Sequence, residues 1–266
     1  MKETLLIVDG HNIASRAYFT NLHGFYNMTL QVIDDVDPDY AAIVFDSPGR
    51  TWRHELYNGY KAGRETNPDR QTYIADVKRS LEGLVPVYAM PGEEADDIIA
   101  SLSLWSAGPE ERHVYILSND SDLLALVCER VSVIAPTGSF KHRVTHDPQS
   151  VFDKMGVWPH QIADYKAMTG DKSDSIPGVH LIGPVTARKL LGLYGGKTGV
   201  LNAVADASWD EEPRWAKLIE AGMADFELSH NLAMLRTPAV EGPELTPFQG
   251  KSALQTALKR YRAGTL

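Results

Sequence analysis

The chain has 266 residues, 43% apolar and 23% charged. That suits one large α/β domain, or a domain with a smaller appended module, and leaves enough chain to bury a core without staples. Its one cysteine, Cys128, excludes an internal disulfide and a cysteine-rich zinc site, and the formal net charge of −9 argues, taken alone, against a nucleic-acid binder.

That argument weakens once the charges are placed. Val179–Asn202 carries Arg188, Lys189 and Lys197 and no acid, and Phe248 to the end carries Lys251, Lys259, Arg260 and Arg262 and no acid. Cys128 follows the apolar stretch Leu123–Val127 and is expected as a small core residue in a reducing, cytoplasmic setting. Neither a signal-peptide core nor an apolar run long enough to span a membrane is present.

In chain order, Leu5–Val8 reads as a strand running into Asp9. Helical segments follow around 13–26 and on to Asp35. A second strand, Ala41–Phe45, runs into Asp46. The polar stretch Ser47–Glu65 comes next, then an amphipathic helix over Gln71–Leu84 with Ile74, Val77 and Leu81 on one face. Val85–Ala89 is a candidate strand. Pro91-Gly92 turns into a helix over Glu93–Trp105. Val114–Leu117 is a strand leading to Asp120 and Asp122. A hairpin is expected from Val131–Ala135, a Pro136-Thr137-Gly138 turn and Phe140–Thr145. Beyond a boundary near Gly156 only helices are expected, at 151–155, 161–168, 184–193, 215–221 and 227–235. The pattern is α/β with a mixed, largely parallel sheet over 1–155 and a helical region over 156–266.

In open α/β sheets ligands gather at the carboxyl ends of the strands. Here three strands deliver Asp9, Asp46 and Asp120/Asp122 to that edge. Glu94, Asp96 and Asp97 add acids at a helix start, where one acid would satisfy the helix dipole but three in four residues exceed it. Asp171 and Asp174 lie in a Gly-, Ser- and Pro-rich loop. Each group alone reads as a turn or cap. Together they read as a cluster that repels itself unless cations sit in it, and an all-carboxylate set suits Mg²⁺ or Mn²⁺. The nine histidines lack ligand spacing and are taken as surface or core residues. Two hard cations about 4 Å apart activate water and stabilise a leaving oxygen, so metal-assisted phosphodiester hydrolysis leads.

Arg50, Arg53, His54, Lys61 and Arg64 punctuate 47–65 among Trp52, Tyr57 and Tyr60. A solvated loop would account for them, but so would a phosphate backbone, with Tyr60 stacking on a base. Gly178–Leu191 reads as a tight turn feeding a helix with Pro184 at its first position, a phosphate seat made of backbone amides.

These stretches resemble the 5′ nuclease (5′–3′ exonuclease/flap endonuclease) family, found also as the N-terminal nuclease domain of bacterial DNA polymerase I. The matching segments are Val8-Asp9-Gly10-His11, Val44-Phe45-Asp46, Trp52-Arg53-His54-Glu55, Gly59–Arg64, Glu94–Asp97, Asn119–Asp122, Gly170–Gly178 and Ile182–Leu191. The resemblance implies a PIN-like α/β nuclease with a helical arch and a C-terminal helix-3-turn-helix module. It implies Asp9, Asp46, Glu94, Asp96, Asp97, Asp120, Asp122, Asp171 and Asp174 as ligands of divalent metal, two ions of Mg²⁺ with Mn²⁺ as a substitute. Lys61, Arg64 and Arg16 match basic residues near the scissile phosphate. Arg53, Tyr60, Gly178, Val179, Ile182, Gly183, Thr186, Arg188 and Lys189 would contact DNA, with K⁺ in the turn. The sequence departs from the family at Leu181, where glycine is usual, at Pro184, where glutamate is usual, and at Ser175, where asparagine is common. The implied substrate is branched or 5′-ended DNA, cut by a monomer without a membrane. No polymerase sequence follows, as in stand-alone bacterial or bacteriophage nucleases. A non-catalytic binder of branched DNA and a PIN-type ribonuclease are the alternatives.

Overall fold

The computed structural model describes residues 3–19, 23–107, 112–137, 142–206, 209, 213–238, 248 and 250–263. The chain forms two compact units. The first comprises Met1–Thr51, Thr66–Asp147 and Leu235–Leu266, and the second Trp52–Glu65 and Pro148–Met234.

The first unit is built on a six-stranded sheet, ordered β3-β2-β1-β4-β5-β6. The strands are β1 (Thr4–Asp9), β2 (Tyr40–Val44), β3 (Val87–Tyr88), β4 (His113–Leu117), β5 (Val131–Thr137) and β6 (His142–His146). All neighbours are parallel except β5 and β6. β1 lies between β2 and β4, which is why Leu5-Leu6-Ile7-Val8 is apolar without alternation: both faces are covered. Leu6 and Val8 join a core with Phe25, Tyr26, Ile43, Phe45 and Val77. Helices α1 (Gly10–Tyr18), α2 (Gly24–Val36), α4 (Pro68–Leu81) and α12 (Lys251–Ala263) supply that layer, while α5 (Ala95–Ser106) packs on β1, β2 and β4.

The two expected helical stretches, around 13–26 and on to Asp35, are α1 and α2, with the second beginning at Gly24 rather than after Tyr26. The expected turn at Pro136-Thr137-Gly138 begins later. Pro136 and Thr137 remain in β5, paired with Arg143 and His142, and residues 138–141 lie outside those described. Proline is tolerated there because the pairing of β5 with β4 has already ended at Ile134, so no ladder partner needs its missing N–H. Cys128 is exposed rather than buried. The run before it coils into a short 3-10 turn, Asp122–Leu126, that turns Leu123 and Leu124 inward, and Cys128 sits in the tight loop that pairs with Val131.

The second unit is helical: α3 (Trp52–Leu56), α6 (Pro148–Met155), α7 (Ile162–Thr169), α8 (Pro184–Tyr194), α9 (Lys197–Ala205), α10 (Pro213–Ala221) and α11 (Met223–Ala233). α7 packs on α8 and α11. No described helix is long and apolar enough to cross a membrane.

Candidate metal centre and nucleic-acid interface

Asp9 ends β1 and is 3% exposed. It caps α1 by accepting the Asn12 N–H at 3.0 Å, and the Ser118 hydroxyl donates to it at 2.7 Å. Burial raises its pKa to about 7; the two hydrogen bonds oppose the shift, and Asp120 and Asp46 reinforce it. Asp46 follows β2. One oxygen accepts the Ala95 N–H at 2.7 Å, satisfying an otherwise orphan amide at the start of α5, and the other lies 3.4 Å from His11 Nδ1. His11 therefore stands at the strand-end cluster, not among scattered histidines.

Glu94 is the N-cap residue of α5 and is buried, with the Thr51 hydroxyl at 3.4 Å. Asp96 follows in the first turn. Its pKa is raised by burial first and then by four like charges, those of Asp120, Asp9, Asp122 and Asp46. Asp120 and Asp122 follow β4, with the Asp120 carboxylate accepting the Asp122 N–H at 3.0 Å. Among the described residues no three His, Cys, Asp or Glu side chains already stand converged as a ligand shell. The gathering appears instead as mutual electrostatic strain across three strand ends and one helix start. Oxygen donors without thiolate, held near each other against their own repulsion, fit a hard divalent ion.

Asp97 differs from its neighbours. It is fully buried and accepts the Arg236 N–H at 2.8 Å, so it fastens the segment that follows the second unit back to α5. Arg16 is in α1, and with the Asn119 amide oriented to satisfy both neighbours, Asn119 accepts from Arg16 Nη1 at 3.2 Å and donates to the Pro136 carbonyl at 3.1 Å. Sequence reasoning passed over Ser118, which donates to Asp9 and accepts the Asp120 N–H at 3.0 Å. Its signal was a hydroxyl at the last buried position of a strand that ends in acids.

In the second unit, Asp171 and Asp174 each have a cation. Lys166 donates to Asp171 at 2.6 Å, and its pKa falls to about 2: burial opposes the drop, and Lys166 and Ser173 outweigh it. Asp174 receives Arg64 Nη2 at 2.5 Å and the Tyr60 hydroxyl at 3.1 Å, with Lys61 Nζ at 3.9 Å. Lys61 adopts a left-handed backbone, φ 53°, and its N–H donates to the Asp174 carbonyl at 2.9 Å. Lys61 and Arg64 are thus brought together by one carboxylate.

Two residues expected to face DNA are turned inward. Tyr60 is 3% exposed and packs with Ile176 and Leu232, leaving no open ring face for a base. Arg53 is equally buried and donates to the Leu232 and Met234 carbonyls, both at 2.9 Å.

The stretch expected to seat phosphate forms a tight turn leading into α8. Gly178 has φ 68°, and a Cβ there would lie 2.2 Å from the Gly170 nitrogen, so only glycine fits. Val179 and Ile182 are buried anchors joined by an N–H to carbonyl bond of 3.1 Å. Gly183 is the N-cap residue of α8 and has open space at its Cβ position, with Pro184 at the first helical position and Thr186 in the first turn. Arg188 and Lys189 are exposed, Arg188 anchored on the Met155 carbonyl at 2.7 Å and Lys189 over the Trp215 ring.

A carboxylate-edged, largely parallel sheet and a helical unit with a tight turn before α8 make up a two-part α/β and helical architecture. The sequence profile of the 5′–3′ exonuclease N-terminal resolvase-like domain matches residues 4–156, and that of the 5′–3′ exonuclease C-terminal SAM fold matches residues 157–253. The chain belongs to the 5′–3′ exonuclease family. It is 37% identical over 252 residues to thermostable DNA polymerase I of Thermus aquaticus, covering 89% of this chain and 29% of that protein. It therefore spans less than a third of the polymerase. It is 35% identical over 250 residues to a 5′–3′ exonuclease of Aquifex aeolicus, covering 88% of this chain and 82% of that one. Among solved structures, T5 5′-exonuclease with bound divalent metal ions (zinc) superposes with a TM-score of 0.76 at 21% identity, covering 98% of this chain and 99% of that one.

Proposed function

We propose that this protein is a structure-specific, divalent-metal-dependent DNA 5′ nuclease, a flap endonuclease and 5′–3′ exonuclease. It hydrolyses phosphodiesters near 5′ ends or junctions to leave a 5′-phosphate and a 3′-hydroxyl, in replication or repair steps such as removal of RNA primers. The observation that carries this reading is the gathering of acids at the strand ends, seen at Asp96, whose carboxyl is pushed up first by burial and then by Asp120, Asp9, Asp122 and Asp46. Family membership and the names of the relatives, one of them a T5 flap endonuclease complex with DNA and metal ions, support it.

The residues proposed to hold the ions are Asp9, Asp46, Glu94, Asp96, Asp120 and Asp122, with Mg²⁺ the expected occupant, Mn²⁺ its substitute, and two ions the expected number. When bound, such ions supply Lewis-acid activation of water and of the scissile phosphate. Asp97 serves first as a tether of α5 to Arg236. Asp171 and Asp174, implied by the resemblance as further ligands, are compensated within their own unit by Lys166 and by Arg64 with Lys61. Lys61, Arg64 and Arg16 are proposed to neutralise phosphate charge, a task for which Asp174 holds the first two side by side.

The amides of 178–183 and the start of α8 seat the duplex backbone without reading its sequence, and Arg188 and Lys189 add phosphate contacts. K⁺ in this turn is tested by comparing duplex affinity in K⁺ and Na⁺. Residues 1–155 are proposed as the catalytic part and 156–266 as the DNA-binding part of a cytoplasmic monomer. A 5′-flap DNA incubated with Mg²⁺ should be cut close to the junction. Tight binding of the same flap without cutting in Mg²⁺ or Mn²⁺ would favour the non-catalytic binder, and preferential cutting of RNA would favour the ribonuclease.

A further inference from the structure

A cavity of about 350 Å³ lies within the second unit, lined by α6 with the chain that follows it and by α8 from Arg188 onward. The buried Leu191 closes it, and Gly192 and Gly195, both exposed with open space at their Cβ positions, leave it unfilled. Phe152 and Trp158 line the α6 side, each 37% exposed, with their rings 4.7 Å apart at 30°. Two large aromatic side chains left part in water beside a hollow mark a place where a further apolar group gains by burial. The walls are fixed. Gln161, itself 5% exposed, donates to the Leu191 and Gly195 carbonyls at 3.1 and 2.9 Å and accepts the Trp158 N–H at 3.0 Å, so one buried amide ties the aromatic side to α8.

Arg188 supplies the charge. Its Nε donates to the Met155 carbonyl at 2.7 Å, its stem crosses Gly156, where a Cβ would lie 2.8 Å from Cδ and Nε, and its guanidinium stands 5.7 Å from the centre of the Tyr165 ring. The cation is held in place before any ligand arrives, which lowers the entropy lost when it takes an anion. No acid is among the described residues of the lining, and Asp153, beside Phe152 in the chain, is occupied by the Gln149 amide at 2.9 Å.

We propose that this cavity docks an acidic peptide of a partner protein, with one aromatic side chain set into the hollow against Leu191 and Trp158 and a neighbouring carboxylate on Arg188. The hollow admits one large side chain, and tryptophan and arginine are the residue types that concentrate binding energy at such centres. One fixed guanidinium matches one carboxylate. A phosphate monoester would bring a second charge with no cation to meet it, and an uncharged segment would leave Arg188 unused. The hollow is separate from the turn at 178–183, since Gly192 stands about 13 Å along α8 from Gly183.

The test uses the full chain in EDTA, where the strand-end acids hold no ion that a peptide could ligate, and reads the fluorescence anisotropy of labelled peptides. The probe is Asp-Glu-Phe-Glu-Asp-amide with a label at its amino end, and its controls carry Ala for Phe, or Asn and Gln for the acids. The probe should bind at least tenfold more tightly than either control. Gly192→Phe, which fills the hollow and replaces a glycine that weakens the helix, should lose peptide binding tenfold or more while holding duplex DNA as wild type does. Arg188→Gln should erase the preference for the acidic over the neutral peptide. Thermal melts establish that both variants fold. Equal binding of the alanine peptide, wild-type-like binding by folded Gly192→Phe, or an unchanged acid preference in Arg188→Gln overturns the proposal. A parallel loss of duplex affinity in Gly192→Phe also overturns it, by giving the surface to nucleic acid. None of these readouts involves cleavage, so the docking site stands or falls apart from the nuclease reading.

Discussion

The Ser118 hydroxyl donates to Asp9 at 2.7 Å, and the same oxygen accepts the Asp120 N–H at 3.0 Å. One buried hydroxyl thus ties the acid at the end of β1 to the backbone of the acid loop after β4. Ser118→Ala strands a buried carboxylate oxygen and a backbone N–H, at a cost of about 1–3 kcal/mol. Because it removes the group that orients a proposed ligand, Mg²⁺ affinity should fall roughly 10–100-fold. Calorimetric Mg²⁺ titration checks this, and Ser118→Thr, which keeps the hydroxyl, should recover most of the loss.

The acid cluster sets the pH dependence of the metal-free protein. Burial pushes the folded Asp9 carboxyl up to about 7, against 3.8 for a free aspartate, so between those values the folded state binds more protons than the unfolded one. Its contribution to stability is greatest below about pH 4 and is lost as pH rises through 7; Asp96 is shifted in the same direction. Asp171 works oppositely: with a folded pKa of about 2, its contribution holds above 3.8 and disappears only as pH falls towards 2. In EDTA the melting temperature should therefore be higher at pH 6 than at pH 8. Saturating Mg²⁺ should narrow the gap by raising the value at pH 8. A melting temperature in EDTA that climbs from pH 6 to pH 8 contradicts the reading.

Removing charge should have opposite effects at two acids. Asp120→Asn with Asp122→Asn relieves repulsion on Asp96, and this variant should melt above the wild type in EDTA while losing cleavage. Asp174→Asn breaks a buried carboxylate's contacts to Arg64, Tyr60 and Lys61. It should melt lower by an amount equivalent to about 1–3 kcal/mol, the upper end discounted because Arg64 is half exposed. Paired melts in EDTA separate the two cases.

Leu181 and Ser175 both adopt left-handed backbone, with φ of 65° and 60°. The resemblance drawn from the sequence leads to an expectation of glycine at the first and asparagine at the second. A left-handed leucine costs about 1–2 kcal/mol, and Leu181 recovers little of it because its side chain is 72% exposed. Leu181→Gly should raise stability by up to about 1 kcal/mol after glycine's greater unfolded-state freedom is subtracted, and Ser175→Asn by a few tenths. Urea unfolding at equal slope measures both, and a lower midpoint for Leu181→Gly would show that leucine is not strained there.

The strands and their terminal aspartates were legible because an apolar run buried on both faces can stop only where the sheet does, and Asp9, Asp46 and Asp120 mark those stops. The turn before α8 was legible because Gly178, Gly183 and Pro184 each have a backbone reason. Side-chain direction was not. Trp52, Arg53 and Tyr60 have the composition of a DNA-facing loop, yet a guanidinium can be buried if carbonyls receive it, as Leu232 and Met234 do. Those partners lie some 180 residues away, which no local pattern reports. His11 and Ser118 escaped for the same reason, since their roles arise only when β1, β2 and β4 lie side by side. α12 was overlooked because its basic residues outweighed the small apolar stripe of Ala253, Leu254 and Ala257 that docks it.

The central claim is that acids from separate strand ends tolerate one another through divalent ions that serve DNA hydrolysis. It is tested most directly by digesting a 5′-labelled flap with wild type and with Asp120→Asn/Asp122→Asn, each in Mg²⁺ and in EDTA, and mapping the products. The account predicts cleavage near the junction by wild type in Mg²⁺ alone, with 5′-phosphate and 3′-hydroxyl ends, and retained flap binding without cleavage by the variant. Equal cleavage in EDTA, or a variant that cuts as fast as wild type, would contradict it.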